Sequence, residues 1–369
     1  GEEDLDRLIQ NTTHIRYSTT QGTNALVERK GPRLGLIGNL TLPLPAASGN
    51  AHADTLFTDL LGQRVATLDP DAADLEMAAV RAVNTLTTAG ANRIVVAFDG
   101  PDYAQAETRV KQILLRAFPS HLLGAVPLLY ASELGDDADP VRRTRTALFN
   151  AFLHPAMERF LYSAERQLRA RHSRGPLLIF RNDGHSARVA KTTAIRTYSS
   201  GPRGGMEGAR ALAAHLGVRR LLSMDVGGTT TDIGLVEDGQ IRAHRHGQVE
   251  GVPVSFPLCD VVSVGVGGSS VIRVLDGHLR VGPESVGSAP GPACFGLGGR
   301  DATITDALFV LGMLDPATYF GGDLNIDVER ARAAIGERVA TPLGIDINSA
   351  ARAMEDAWVQ RIADSLRQF

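Results

Sequence analysis

The sequence predicts an α/β protein of about two domains. Up to Ala131, strand-like and helix-like segments alternate in β-α-β-α-β order, which favours a sheet with crossover helices. After about Tyr198 the composition shifts to glycine-rich turns set between short apolar runs. The chain has 369 residues, 43% of them apolar, enough to bury the cores of about two domains of roughly 150 residues each.

The elements follow in order. RLGLIGNL, residues 33–40, has strand character, and residues 41–54, with Pro, Ala, Ser, Gly and Asn, read as a loop. Residues 71–89 repeat apolar side chains at helical spacing. RIVVAFD, residues 93–99, is a buried-strand run closed by Gly100–Pro101. An amphipathic helix over 104–117 precedes a strand over 125–131. Residues 140–171 read as one long helix, broken or kinked near Pro155. A strand over 176–180, a helix over 204–216 and a strand over 220–225 come next. Thr303 or Thr305 can cap a helix over 303–314, and two more helices are expected over 327–339 and 348–369. The domain boundary is placed near residue 140, giving 1–140 and 141–369.

Composition excludes several function classes. A net charge of −3 and 5% aromatic residues argue against a nucleic-acid surface. No run of 18 apolar residues is present to span a membrane. The acidic start, GEEDLDRLIQ, is not a secretory signal, and two cysteines make neither a disulfide framework nor a zinc cage. A cytoplasmic location is expected. Lys30, Lys111 and Lys191 are the only lysines, and none stands in a G-x-x-x-x-G-K-[ST] phosphate loop.

The strongest chemical signal is Asp225-Val-Gly-Gly-Thr-Thr-Thr-Asp232. It joins the apolar runs LLSM and IGLV, and the second ends at Asp238–Gly239, a hairpin signal that returns the chain over 240–246. Gly227 and Gly228 permit close backbone approach and unusual φ. Their N–H groups, with those of Thr229 and Thr230, can bind an anion such as phosphate, and the hydroxyls of Thr229, Thr230 and Thr231 add donors. Asp225 and Asp232 can hold Mg²⁺ through water. The plain alternative is a hairpin whose glycines only make the turn.

This arrangement resembles the phosphate loop of the actin, Hsp70 and sugar-kinase ATPase fold, a ribonuclease H-like architecture of two lobes. The segments SGPRGGMEGA (200–209), VGVGGSS (264–270), LRVGPESVG (279–287), PGPACFG (290–296) and TITDA (303–307) narrow the match. In this order they resemble the A-type subunit of the hydantoinase/oxoprolinase family, with weaker agreement before residue 200. The resemblance implies ATP with Mg²⁺, Mn²⁺ or another divalent metal as cofactors. It also implies a cyclic amide substrate activated by phosphorylation, a B-type partner subunit and an oligomer. The alternatives are a ketone carboxylase subunit and a non-catalytic scaffold of the same fold. That family opens with a first DxGGTxTD hairpin and continues to an adenosine-contacting segment. This chain shows only the later hairpin, so it reads as an incomplete two-lobed fold that binds ATP weakly by itself.

By the same resemblance, Asp225 and Asp306 are the candidate catalytic residues. Gly265, Gly267, Gly268 and Ser269 join the hairpin as candidate cofactor ligands. Asp306 could equally serve a helix N-terminus. Cys294 lacks the basic neighbour a nucleophilic thiol needs. His244 and His246 read as a solvated edge, and Trp358 as core or interface.

Overall fold

The computed structural model describes residues 4–27, 29–39, 56–57, 59–122 and 125–369. The loop expected over 41–54 lies outside them. Two compact units are present: Gly1–Glu207 with Ala243–Cys259, and Gly208–Arg242 with Asp260–Phe369.

The first unit begins with helix α1 (Leu5–Asn11), strand β1 (Ile15–Tyr17) and helix α2 (Gln21–Val27). The predicted alternation follows as β2 (Leu34–Gly38), β3 (Val65–Thr67), α3 (Leu75–Thr88), β4 (Arg93–Val96), α4 (Tyr103–Ala117) and β5 (Leu128–Tyr130). The four strands form one parallel sheet in the order β3-β2-β4-β5. β2 is buried along its whole length, as expected for a strand covered on both faces. Ile37, Ile94, Val96 and Phe98 pack with Ala79, Val83 and Leu86 of α3 and Val110 and Leu114 of α4. Leu34, Leu36 and Val95 belong to a second cluster with Leu148, Phe149 and Phe152.

Those last three side chains lie on α5 (Pro140–Ala170), a 31-residue helix that runs unbroken through Pro155, where a break or a kink was expected. Its start is well made: Pro140 occupies the first turn, and the Asp139 side chain accepts from Val141 N and Arg142 N. Because α5 builds the first core, the compact units do not divide near residue 140. β6 (Leu177–Phe180) pairs parallel with β1 and antiparallel with β7 (Ser186–Arg188). Helix α6 (Ser200–Leu216) starts four residues before the expected position and carries the chain from the first unit into the second.

The second unit opens with β8 (Arg220–Val226), β9 (Thr231–Glu237) and the short β10 (Gln240–Ile241). β8 and β9 form a seven-pair antiparallel hairpin, Arg220 opposite Glu237 through Val226 opposite Thr231. Asp238 (φ 49°) and Gly239 (φ 75°) make the predicted second turn, both with left-handed backbone. The returning strand stops at Ile241 rather than near His246. The chain then contributes β11 (Ala243–His244), β12 (Gln248–Val249), β13 (Val252–Pro253) and β14 (Leu258–Cys259) to the first unit. Arg242 and Asp260 pin the base of this excursion within the second unit. Asp260 N donates to Arg242 O at 2.8 Å, and the Arg242 Nε–Asp260 Oδ2 ion pair is also 2.8 Å.

β15 (Val261–Val264) pairs antiparallel with the other edge of β9. The hairpin β16 (Ser270–Leu275) and β17 (His278–Ser285) follows, then α7 (Ile304–Val310), α8 (Val328–Ile335) and α9 (Ile347–Gln368). Ile272, Ala307, Ile335 and Met354 belong to one core cluster, and Ile233, Val264, Val266 and Ile362 to another. Trp358 packs against both.

Candidate functional site

The segment 225–232 folds as the predicted tight turn between antiparallel strands. Gly227 N donates to Thr230 O at 2.8 Å, which closes a four-residue loop beyond the last ladder pair, Val226–Thr231. Gly227, Gly228, Thr229 and Thr230 are exposed. Neither glycine has a positive φ, so the expected unusual φ is absent. What the loop exploits is close approach: a Cβ on Gly227 would lie 3.1 Å from Thr230 O.

The turn 264–270 locks onto this loop. Gly268 N donates to Gly227 O at 2.9 Å and Ser269 N donates to Gly228 O at 2.6 Å. A Cβ on Gly267 would stand 2.6 Å from both of those carbonyl oxygens, so only glycine fits there. Behind it, Thr305 Oγ1 donates to Gly268 O at 2.7 Å, and Trp358 Nε1 reaches Gly267 O at 3.4 Å. The Gly227 and Gly228 carbonyls are thus turned toward the 264–270 turn and bonded. The amides of Gly228, Thr229 and Thr230 donate no hydrogen bond within the described residues. A run of unpaired, exposed N–H groups is an anion-binding arrangement. Thr229 Oγ1 lies 3.2 Å from Ser285 Oγ, which orients this hydroxyl.

Asp225 and Asp232 stand directly opposite each other at the mouth of the hairpin, Asp225 exposed and Asp232 half-buried. Burial holds the Asp232 carboxyl above the ordinary carboxylate range; the Asp225 charge adds to this, and a hydrogen bond from Ser263 opposes it. Two facing carboxylates beside free amides suit a hydrated divalent cation next to a phosphate.

Other expected site residues are placed differently. Thr231 is fully buried and its hydroxyl donates to Val266 O at 2.6 Å, so the side chain ties the two turns together. Gly267 and Ser269 are buried and Gly268 is half-buried; they support the loop from beneath. Gly265 is exposed, with open space around its Cα. Asp306, expected among the catalytic residues, is fully buried. Its oxygens accept from Cys294 N at 2.8 Å, Thr303 N at 3.0 Å, Thr303 Oγ1 at 2.7 Å and Ala293 N at 3.4 Å. With the Thr303 side chain it completes a capping box on α7, so its carboxylate is committed to the PGPAC loop rather than to a ligand. Cys294 is buried, and burial and Asp306 push its thiol far up, away from nucleophilic chemistry. Ser285, Ser263 and Val266 O were not expected at the site; Val266 and Ser285 lie within the quoted segments 264–270 and 279–287, but their roles depend on long-range pairing that the segments do not encode.

Comparison with known proteins places this geometry in a class. The hydantoinase/oxoprolinase family model matches residues 143–369, and the model of that family's N-terminal region matches residues 2–118. The chain belongs to the hydantoinase/oxoprolinase family. It is 31% identical to the acetophenone carboxylase gamma subunit of Aromatoleum aromaticum over 99% of this chain and 54% of that protein. It is 26% identical to the caprolactamase subunit alpha of Pseudomonas jessenii, over 90% of this chain and 50% of that protein. The chain therefore spans about half the length of these curated relatives. Among solved structures, nucleotide-free acetone carboxylase superposes with a TM-score of 0.80 at 24% identity, covering 99% of this chain and 55% of that one. The ATP-dependent caprolactamase from Pseudomonas jessenii gives 0.74 at 23% identity, covering 98% and 55%. The chain thus shares the fold of these two proteins, a mixed α/β architecture with parallel strands in its first unit. No helix among the described residues is long and apolar enough to cross a membrane.

Proposed function

We propose that this chain supplies a phosphate-binding hairpin to an ATP-dependent enzyme that activates a cyclic amide of the hydantoin or 5-oxoproline class. The observation that carries this reading is the exposed 227–230 loop, with the Gly227 and Gly228 carbonyls bonded to the 264–270 turn and the amides of Gly228, Thr229 and Thr230 free beside Asp225 and Asp232. In this reading the three amides and Thr229 Oγ1 hold phosphate oxygens. Asp225 and Asp232 would hold Mg²⁺, which would supply charge neutralisation at the phosphoryl group. Backbone donors that are already fixed cost little reorganisation, which is what stabilising developing charge requires. Transfer of the γ-phosphoryl group to the amide oxygen releases ADP and activates the carbonyl carbon; water adds there, the C–N bond breaks with the ring nitrogen leaving as the amine, and phosphate departs, a hydrolysis that a B-type partner subunit completes.

A second reading has a specific observation behind it. The acetophenone carboxylase gamma subunit, at 31% identity, favours a ketone as the phosphoryl acceptor. Both readings use the same hairpin and differ only in the acceptor. The test is ATP turnover by the chain assembled with its partner subunit. Hydantoin or 5-oxoproline is supplied in one arm, acetone or acetophenone with bicarbonate in the other. Stimulation by a cyclic amide, lost by orders of magnitude in Asp225→Asn with an unchanged melting temperature, is expected. Stimulation by the ketone arm alone would assign the carboxylase reading. Full turnover by Asp225→Asn would remove the metal-holding role.

A further inference from the structure

Glu107, Lys111 and Leu115 recur every four residues and so lie along one face of α4. β5 ends at Tyr130, and the chain leaves it through a single helical turn, Ala131–Glu133. Between that helix face and this turn, wholly within the first unit, is a cavity of about 270 Å³. Glu107, Lys111, Gln112, Tyr130, Ser132 and Glu133 are among the residues that line it. Sites for drug-sized ligands run to about 300–1,000 Å³, so this one suits a smaller molecule.

The wall of the cavity carries an unanswered hydrogen bond. Tyr130 is only 4% exposed, and its Oη has no hydrogen-bond partner among the described residues. A buried hydroxyl without a partner is costly. Burial first, then the charges of Glu133 and Glu107, push the pKa of this phenol far up, so it keeps its proton and wants an acceptor. Glu107 is turned to the backbone instead: Oε1 accepts from Phe98 N at 3.3 Å and Oε2 from Ser132 N at 2.7 Å. Lys111 Nζ lies 5.4 Å from the centre of the Tyr130 ring and is paired with Glu133. The two side chains are 38% and 51% exposed, and an exposed ion pair is weak enough to exchange partners. The site thus holds one cation, one anion that balances it, and one phenol proton without an acceptor. A singly charged ligand would take one member of the pair and strand the other. A zwitterion answers both, and its carboxylate gives the phenol its acceptor.

We propose that this cavity binds a small amino acid, whose carboxylate accepts from Tyr130 Oη and Lys111 Nζ and whose ammonium group donates to Glu133. The site uses no residue of the 225–232 hairpin, so this inference and the phosphate-binding reading stand or fall separately.

The test is an NMR titration of the 369-residue chain with glycine, read at the backbone amides of Ser132 and Glu133. Acetate and methylammonium serve as the two half-ligands. Glycine should shift both amides saturably, and each half-ligand should bind at least about tenfold more weakly. Tyr130→Phe keeps the ring and removes the unpartnered hydroxyl. It should bind glycine roughly 10–100-fold more weakly, yet melt at or above the parent temperature. Glu133→Gln should move the preference toward acetate and Lys111→Gln toward methylammonium. Absence of a saturable shift up to about 10 mM glycine would overturn the inference, as would parental affinity in Tyr130→Phe. Acetate binding as tightly as glycine would overturn recognition of a zwitterion. A lowered melting temperature of Tyr130→Phe without ligand would show that the protein itself satisfies the hydroxyl, which removes the premise.

Discussion

Gly267→Ala is the sharpest single test of the interlocked turns. The added Cβ would stand 2.6 Å from Gly227 O and Gly228 O, against an ordinary contact of about 3.4 Å, so the turns must part by about 0.8 Å. Neighbouring side chains cannot absorb this, because both obstacles are backbone. The Gly268 N to Gly227 O and Ser269 N to Gly228 O bonds, 2.9 and 2.6 Å long, would lengthen to about 3.7 and 3.4 Å, the first beyond hydrogen-bonding range and the second at its limit. Overpacking costs roughly 1–3 kcal/mol, and each weakened hydrogen bond adds up to about 1 kcal/mol. A loss of roughly 2–4 kcal/mol should lower the melting temperature of this unit by roughly 5–15 °C. Gly265→Ala is the matched control: nothing lies within 4 Å of its Cβ position and its φ is not positive, so it should be neutral or slightly stabilising. Calorimetric unfolding of the two variants beside the parent is the assay. Unfolding of Gly267→Ala at the parent temperature, with the amides of residues 268 and 269 still protected, would refute the reasoning.

Three further outcomes are expected. Asp306→Asn should destabilise by roughly 2–4 kcal/mol, because the new NH₂ meets amide donors where the carboxylate accepted them; a parental denaturation midpoint would show that the buried carboxylate does not hold the PGPAC loop. Asp225→Asn should lower the Asp232 pKa while leaving it above the ordinary 3.8, since it removes a charge but not the burial that comes first among the causes; an NMR titration in which Asp232 stays put would contradict this. The Asp137 carboxyl is held well below its ordinary value chiefly by hydrogen bonds from Arg142, at 2.5 and 2.8 Å. Its folded pKa is depressed, so its stabilisation is present above the unfolded value of 3.8 and is lost as the pH falls. Asp137→Asn should therefore be less stable than the parent at neutral pH, with the gap closing in acid, and a gap constant across pH 2–7 would exclude the ion pair as its source.

Much of the site was legible in the chain because its chemistry is local. Asp225, Gly227, Gly228, Thr229 and Thr230 sit within six consecutive positions, and strand runs on either side force a turn there whatever the rest of the molecule does. The Asp238–Gly239 hairpin and the Thr303 cap are local in the same sense. The α-β alternation up to β5 was readable because buried parallel strands are short continuous apolar runs and their helices are amphipathic.

Tertiary structure decided the rest, because those features depend on partners distant in sequence. Asp306 reads the same in a motif whether its carboxylate meets a ligand or four donors from residues 293, 294 and 303; only folding fills its shell. Thr231 belongs to the same Gly-Thr string as Thr229, but the register of β9 turns it inward to Val266 O, while Thr229 stays exposed. The assignment of α5 to the first unit depends on Leu148, Phe149 and Phe152 meeting Leu34 and Leu36, more than a hundred residues earlier. Residues 243–259 leave the second unit for the first, a crossing that no periodicity encodes. Sequence by itself determined which short segments can turn, cap or span a sheet, since backbone sterics and side-chain spacing act over a few residues. Which of those groups remain free for chemistry was decided by long-range packing, since a donor or carboxylate is available only when no distant neighbour has already satisfied it.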